Sequence, residues 1–274
     1  MPLIGTRDGF ELHCETAGKP DGEALLLVTG LGGNASFWAE QAPRFGKTFR
    51  TITYDHRGTG RSSQPLSGYS LEQMAGDALA VLDGLGIARA HVVGHSTGGC
   101  IGQILAIDHP QRMISLVASS SWTAADAYFR RLFEVRKRAL LEGGPTTYVR
   151  CGTLFQYPPE WITANMAAIE IAEAATLAAF PPSDIVLGKI DAILAFDRRS
   201  DLHRIRVPTL VNTAMDDAIC PPYFSRALAA AIPDARLEIL QSGGHFCPRT
   251  QPDAFFGNLS TFFRDVAGTA GRSA

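Results

Sequence analysis

Ala90-His91-Val92-Val93-Gly94-His95-Ser96-Thr97-Gly98 decides how the rest of the chain is read. An apolar run enters a Gly-x-Ser-x-Gly, and a helix-period run over 99–107 follows at once. Turning so abruptly from strand to helix forces the central Ser into strained backbone, so its neighbours must be tiny. Gly94 and Gly98 meet that requirement. The hydroxyl of Ser96 is then lifted clear of the sheet, and the Thr97 N–H, in the first turn of the helix, faces the place where an oxyanion would form. With 27 glycines in the chain such a pattern also arises by chance. It gains meaning only if partner residues stand where a strand-turn-helix nucleophile needs them.

Composition sets the frame. A chain of 274 residues fits one large domain with room for an insertion. A formal net charge of −2 supplies no basic field for phosphates, so no nucleic-acid partner is expected. Cys14, Cys100, Cys151, Cys220 and Cys247 are odd in number and form no C-x-x-C pair, which suits reduced thiols in a cytoplasmic protein. Arg7 and Asp8 fall where a signal peptide would be apolar, and no later run is long enough to span a bilayer. A soluble, unprocessed protein without a membrane partner is the expectation. No metal and no cofactor are expected either.

Residues 10–16 alternate as a half-buried strand, and 18–22 form a turn cluster. The continuous apolar run 24–28 reads as a strand buried on both faces. It ends in Thr29-Gly30-Leu31-Gly32-Gly33, which lacks the Lys of a P-loop and the spacing of a dinucleotide site. Gly30 would let the chain fold back so that the Leu31 N–H becomes a second oxyanion donor opposite Thr97, the alternative being a plain loop. After a strand over 49–54, Asp55 and Arg57 read as a mutually paired brace of the turn 55–62. Ser70 and Gln73 make a capping box for a helix through Leu85, with Met74, Ala78, Val81, Leu82 and Leu85 on one face and Gly86 ending it. Gly98 and Gly102 allow the helix after Ser96 to pack closely on the sheet. A strand follows over 114–118, so strands and helices alternate and the fold class is α/β, a mostly parallel, doubly wound sheet.

From 122 to 204 helix-period segments follow one another without a convincing strand. This predicts a helical cap inserted after the sixth strand, with 1–121 and 205–274 forming the core domain. A helix over 124–141 carries Phe129, Leu132, Phe133, Arg136 and Leu140 on one face. For Arg136 two readings stand: a guanidinium lying along apolar surface with its head in water or paired, or one anchoring a substrate carboxylate under the cap. Trp122, Tyr157 and Trp161 are candidates for the same pocket. Residues 184–197 form the last cap helix.

The sheet resumes at 208–212 and reaches the acidic loop Met215-Asp216-Asp217-Ala218-Ile219-Cys220-Pro221; a strand over 237–240 then leads to Gly243-Gly244-His245-Phe246. Ser, then acid, then His is the chain order that the elbow requires. His245 would take the proton of Ser96, and Asp217 would hold the imidazole in the correct tautomer, with Asp216 as the competing acid. A helix over 252–266 closes the chain before a Gly/Ala/Ser-rich end.

Through Thr29-Gly30-Leu31-Gly32-Gly33, Asp55-His56-Arg57-Gly58-Thr59-Gly60, Gly94-His95-Ser96-Thr97-Gly98, Asp217 and Gly244-His245 the chain resembles α/β-hydrolase fold enzymes over nearly its whole length. Within them it is most similar to the aminoacrylate hydrolases of the pyrimidine-degrading Rut pathway, through Thr29 before the oxyanion Gly and through Arg130-Arg131-Leu132-Phe133-Glu134-Val135-Arg136 and Leu154-Phe155-Gln156-Tyr157-Pro158. Some members of that family lack Ser at the elbow, whereas Ser96 is present here. The resemblance implies a cofactor-free hydrolase of a small carboxylate-bearing substrate, with enol-lactonase or carboxylesterase chemistry as the alternative, and a possible homodimer. For an enamine such as aminoacrylate, His245 would activate water directly and Ser96 would only position it. A ligand receptor on the same scaffold is the reading from another class.

Overall fold

The computed structural model describes residues 3–270. In chain order its strands and helices are β1 (Leu3–Gly5), β2 (Glu11–Gly18), β3 (Ala24–Val28), α1 (Gln41–Phe45), β4 (Arg50–Tyr54), α2 (Leu71–Gly84), β5 (Ala90–His95), α3 (Thr97–Asp108) and β6 (Met113–Ser119). Three successive helices follow, α4 (Ala127–Gln156), α5 (Pro159–Ala178) and α6 (Ser183–Ala195). The chain then returns through β7 (Thr209–Ala214), α7 (Pro222–Ala231), β8 (Arg236–Leu240), α8 (Cys247–Thr250) and α9 (Pro252–Ala270).

The strands form one sheet in the order β1-β2-β4-β3-β5-β6-β7-β8. β2 runs antiparallel to β1 and β4, and every other pairing is parallel. Because side chains alternate along a strand, Leu26 and Val28 face α2 and α3 while Leu25 and Leu27 face Trp38 and the Phe255, Leu259 and Phe262 side of α9. Both faces are therefore covered, which is why β3 is buried from end to end. β4 lies on one side of β3 and β5 on the other, so the winding reverses there. Loops leaving the carboxyl ends of β3 and β5 splay apart at such a point and open a crevice.

Several local expectations need correction. β1 was not foreseen, since three residues are too few to show a period. The helix expected over 124–141 begins at Ala127, where Asp126 accepts from Phe129 N at 2.8 Å, and runs on to Gln156 across a break at Gly144 (φ 74°). Pro145 follows that glycine and cannot close the helical ladder, so two helical pieces meet there. Ser70 Oγ accepts from Gln73 N at 3.0 Å, yet the Gln73 side chain donates to Asp77 instead of returning to Ser70. Gly86 (φ 66°) does end α2: its N–H reaches Asp83 O and that of Ile87 reaches Leu82 O, a Schellman closure. The Gly/Ala/Ser-rich last residues, 271–274, lie outside the described residues.

Arg57 does not pair with Asp55. Its guanidinium forks onto Asp77 through Nε (2.7 Å) and Nη2 (2.6 Å) and reaches Asp8 through Nη1 (2.8 Å). Asp55 instead accepts from Ala35 N (2.9 Å) and Arg61 N (3.1 Å), tying the loop after β3 to the turn after β4. Arg57 and Asp77 are both buried. Replacing Arg57 by Met strands the Asp77 carboxylate, and denaturant unfolding should show a loss of roughly 3–5 kcal/mol. A loss under about 1 kcal/mol would mean that this pair behaves like an exposed one.

Candidate active site

β5 delivers its last residue directly into α3, and Ser96 absorbs the turn at φ 55°, ψ −117°. That conformation is costly for a side-chain-bearing residue and persists only where the surroundings over-determine it. Here Ser96 N donates to Ser119 O (2.7 Å), while its carbonyl accepts from Gly99 N (2.9 Å) and Ser121 Oγ (3.0 Å). The glycine requirement is visible in the space around it. A Cβ on Gly94 would stand 2.1 Å from Gly98 O, and one on Gly98 would stand 2.3 Å from Val28 O. Both obstacles are backbone and cannot yield.

Gly30 sits against Ser96, with the position of a Cβ only 3.1 Å from Ser96 Cβ. Leu31 and Thr97 border the same cavity as Ser96. Neither Leu31 N–H nor Thr97 N–H has an acceptor among the described residues, so both are available to an oxygen of a ligand.

His245 follows β8 in a loop shaped by two glycines of positive φ, Gly243 (136°) and Gly244 (63°). Its Nδ1 lies 3.0 Å from both carboxylate oxygens of Asp217. Asp217 Oδ1 also accepts from Ile219 N (2.9 Å) and Cys220 N (2.8 Å), so the carboxylate is fixed before the imidazole meets it. Asp216 does different work, accepting from Gly243 N (3.2 Å) and Gly244 N (2.8 Å) and so holding the histidine loop. Ser96 and His245 border one cavity; among the described residues Ser96 Oγ makes no hydrogen bond of its own. Ser–His bonds of this kind commonly tighten only with ligand present. Burial holds the imidazole of His95, beside Ser96, well below its ordinary pKa and therefore neutral. It stacks on Phe37 at 4.7 Å.

The cavity has a volume of about 460 Å³ and is walled by the loops after β3 and β5 and by α4, α5 and α6. Among the described residues its charged lining is Arg136, Lys189, Arg249 and Glu173. Glu173 is engaged by Thr153 Oγ1 (2.6 Å) and lies 3.8 Å from Arg150. Arg136 is 5% exposed, has no carboxylate within ion-pair distance among the described residues, and leaves its Nε without an acceptor. Its guanidinium lies over the rings of Tyr148 (4.8 Å) and Phe133 (5.2 Å).

Tyr157 also borders the cavity. Trp161 does not, and lies stacked behind Tyr157 at 4.6 Å. Trp122 is fully buried against Phe129 (4.6 Å) and Phe196, away from the cavity. It is a candidate for the pocket in the sequence, but packing claims it. Lys189 and Arg249, not among the sequence candidates, also line the cavity. For Lys189 the signal was present, because it shares the buried face of α6 with Ile185, Val186, Ile190 and Ile193. His91 and His95 stand four apart, but on a strand that spacing separates them by about 13 Å. No group of three or more potential metal ligands occurs among the described residues. None of the described helices is long and apolar enough to cross a membrane, and all five cysteines are free.

Residues 23–154 match the alpha/beta hydrolase fold family. A protein named as carbamate hydrolase RutD from Azorhizobium caulinodans is 46% identical over 257 residues, covering 94% of this chain and 95% of that one. Its namesake from Caulobacter vibrioides is 42% identical over 262 residues, covering 94% and 97%. The enol-lactonase from Burkholderia xenovorans LB400 superposes with a TM-score of 0.86 at 27% identity, covering 96% of this chain and all of that one. A thermophilic esterase from Thermogutta terrifontis, crystallised with malate, gives 0.85 at 25% identity over 97% and 98% of the two chains. An elbow serine, a histidine loop and a crevice between them thus occur in a chain similar along nearly its whole length to such proteins, and it belongs to the RutD family of α/β-hydrolase-fold hydrolases.

Proposed function

We propose that this hydrolase uses Ser96, His245 and Asp217 as a catalytic triad on a small substrate bearing a carboxylate, with residues 122–204 serving as a cap over the site. Asp217 keeps the proton of His245 on Nδ1, leaving Nε2 free to accept the Ser96 proton. Oγ then bonds to the acyl carbon, and the negative charge that develops on the acyl oxygen falls to the N–H groups of Leu31 and Thr97. His245 passes the proton to the departing alcohol or amine. Water, deprotonated by the same imidazole, attacks the acyl-enzyme and returns the hydroxyl to Ser96.

The observation that carries the substrate class is Arg136. A buried guanidinium without a carboxylate partner among the described residues, lining the cavity that holds Ser96, is poised for a bidentate anion. The names of the relatives point to carbamates and lactones, and an enamine acid such as aminoacrylate is accommodated by the same anchor. Tyr157 would border the bound substrate, with Trp161 backing it. The free thiols suit a reducing cytoplasm.

The test compares esters that share one scissile bond, one with a free carboxylate and one with that carboxylate methylated. Arg136→Met should cut kcat/KM for the acid by roughly 10²–10³ while changing the methylated compound by less than about threefold. Equal losses on both would overturn the carboxylate assignment.

A further inference from the structure

Lys189 has no part in the chemistry above, yet it borders the same cavity. It is 3% exposed. Its Nζ donates to Thr59 Oγ1 at 2.5 Å, and that hydroxyl in turn donates to Gly32 O at 3.0 Å, in the loop carrying Leu31. The Tyr69 ring lies 5.8 Å away. Among the described residues no carboxylate comes within ion-pair distance of Nζ, and its remaining N–H groups have no acceptor. Asp55 acts on it only at longer range, since its oxygens are taken by Ala35 N and Arg61 N.

An ammonium in this setting is expensive, because desolvation is not matched by a counter-charge. Arg136, from α4, is in the same condition on another part of the wall. Glu173, from α5, is already engaged by Thr153 and Arg150. One ligand carboxylate satisfies one guanidinium fork. It leaves Lys189 without an anion.

We infer that the preferred substrate carries a second anionic group, so that Arg136 holds one carboxylate and Lys189 the other: the ligand is a dicarboxylate-type acid, of which a carbamate or aminoacrylate fills only the Arg136 half. This rests on the carboxylate reading of Arg136 and extends it. Burial draws the Lys189 pKa from 10.5 down to about 7, so the free enzyme holds part of its population as the neutral amine. Around it, His56 is neutral, its pKa drawn down to about 3, and Tyr69 is a neutral phenol, drawn up to about 12. Arg136, Glu173, His245 and Arg249 line the same cavity. An anion beside Nζ favours the ammonium, so binding of the second carboxylate takes up a proton at neutral pH.

Isothermal calorimetry on the full chain, with butyrate and succinate as matched four-carbon probes, tests this. Wild type should bind succinate at least roughly tenfold more tightly than butyrate. Titrations in two buffers of different ionisation enthalpy should show proton uptake with succinate and none with butyrate. Lys189→Met should abolish both the preference and the uptake and leave butyrate affinity unchanged. Absence of a preference in wild type overturns the proposal without recourse to any variant. Equal weakening of both probes by Lys189→Met also overturns it, because the two cations would then share one carboxylate. If Arg136→Met leaves butyrate binding intact, the underlying carboxylate reading fails instead.

Discussion

Ser96→Ala should lower kcat/KM for p-nitrophenyl acetate by roughly 10⁴–10⁶, with unfolding unchanged from wild type. Two facts set the size of the effect. In the proposed mechanism Oγ is the atom that bonds to the acyl carbon, and among the described residues no other nucleophile on the cavity wall is presented by a strained turn beside two unoccupied N–H donors. Alanine adopts the φ of 55° at a cost similar to serine, so the backbone donors of Leu31 and Thr97 stay in place and account for the residual rate. Steady-state hydrolysis checks the loss, and thermal unfolding checks that the variant is folded. Retention of ester turnover would remove the acyl-enzyme route. It would leave water activation by His245 as the working chemistry.

Asp217→Asn should cost about 10⁴ in kcat with little change in KM. Asp217 Oδ1 is pinned by the N–H groups of Ile219 and Cys220, so the amide oxygen of Asn must take that position. Its NH₂ then takes the place of Oδ2, 3.0 Å from His245 Nδ1, and competes there with the amide oxygen at the equally near Oδ1 position. An imidazole facing a donor on Nδ1 carries its proton on Nε2, and Nε2 can no longer accept from Ser96. Asp216→Asn is the matched control. Its partners are the two backbone donors Gly243 N and Gly244 N, so its loss should stay within about tenfold. A reversal of the two magnitudes, measured side by side, would hand the triad acid to Asp216.

How much of this was legible in the sequence depended on how local the physics was. The elbow could be read because the contact of Gly94 with Gly98 is steric and lies within a few residues; the contact of Gly98 with Val28, on a distant strand, appears only in the folded sheet. The α/β-hydrolase fold and the parallel sheet followed from runs such as 24–28, whose burial on both faces matches their composition. The antiparallel edge strand β1 was too short to announce itself. Arg57 was recognised as a brace but given the wrong partner, since its carboxylates lie 20 residues ahead, at Asp77, and 49 behind, at Asp8. Only the folded sheet brings these together. Trp122 shows the same limit, as an aromatic near an elbow can line a pocket or pack beneath it, and Phe129 and Phe196 decide. For Arg136 periodicity gives a buried face without saying what meets its head group, so the sequence supports two readings. Lys189 obeyed the same rule on α6.

The most direct measurement is covalent labelling of the intact chain with a fluorophosphonate, followed by peptide mapping. Attack through Ser96, driven by His245 and held in register by Asp217, predicts one adduct per chain on the peptide containing Ser96, none in Ser96→Ala, and labelling slowed to near background in His245→Ala. A wild-type chain that resists the probe, or an adduct that persists when residue 96 is alanine, would contradict the account.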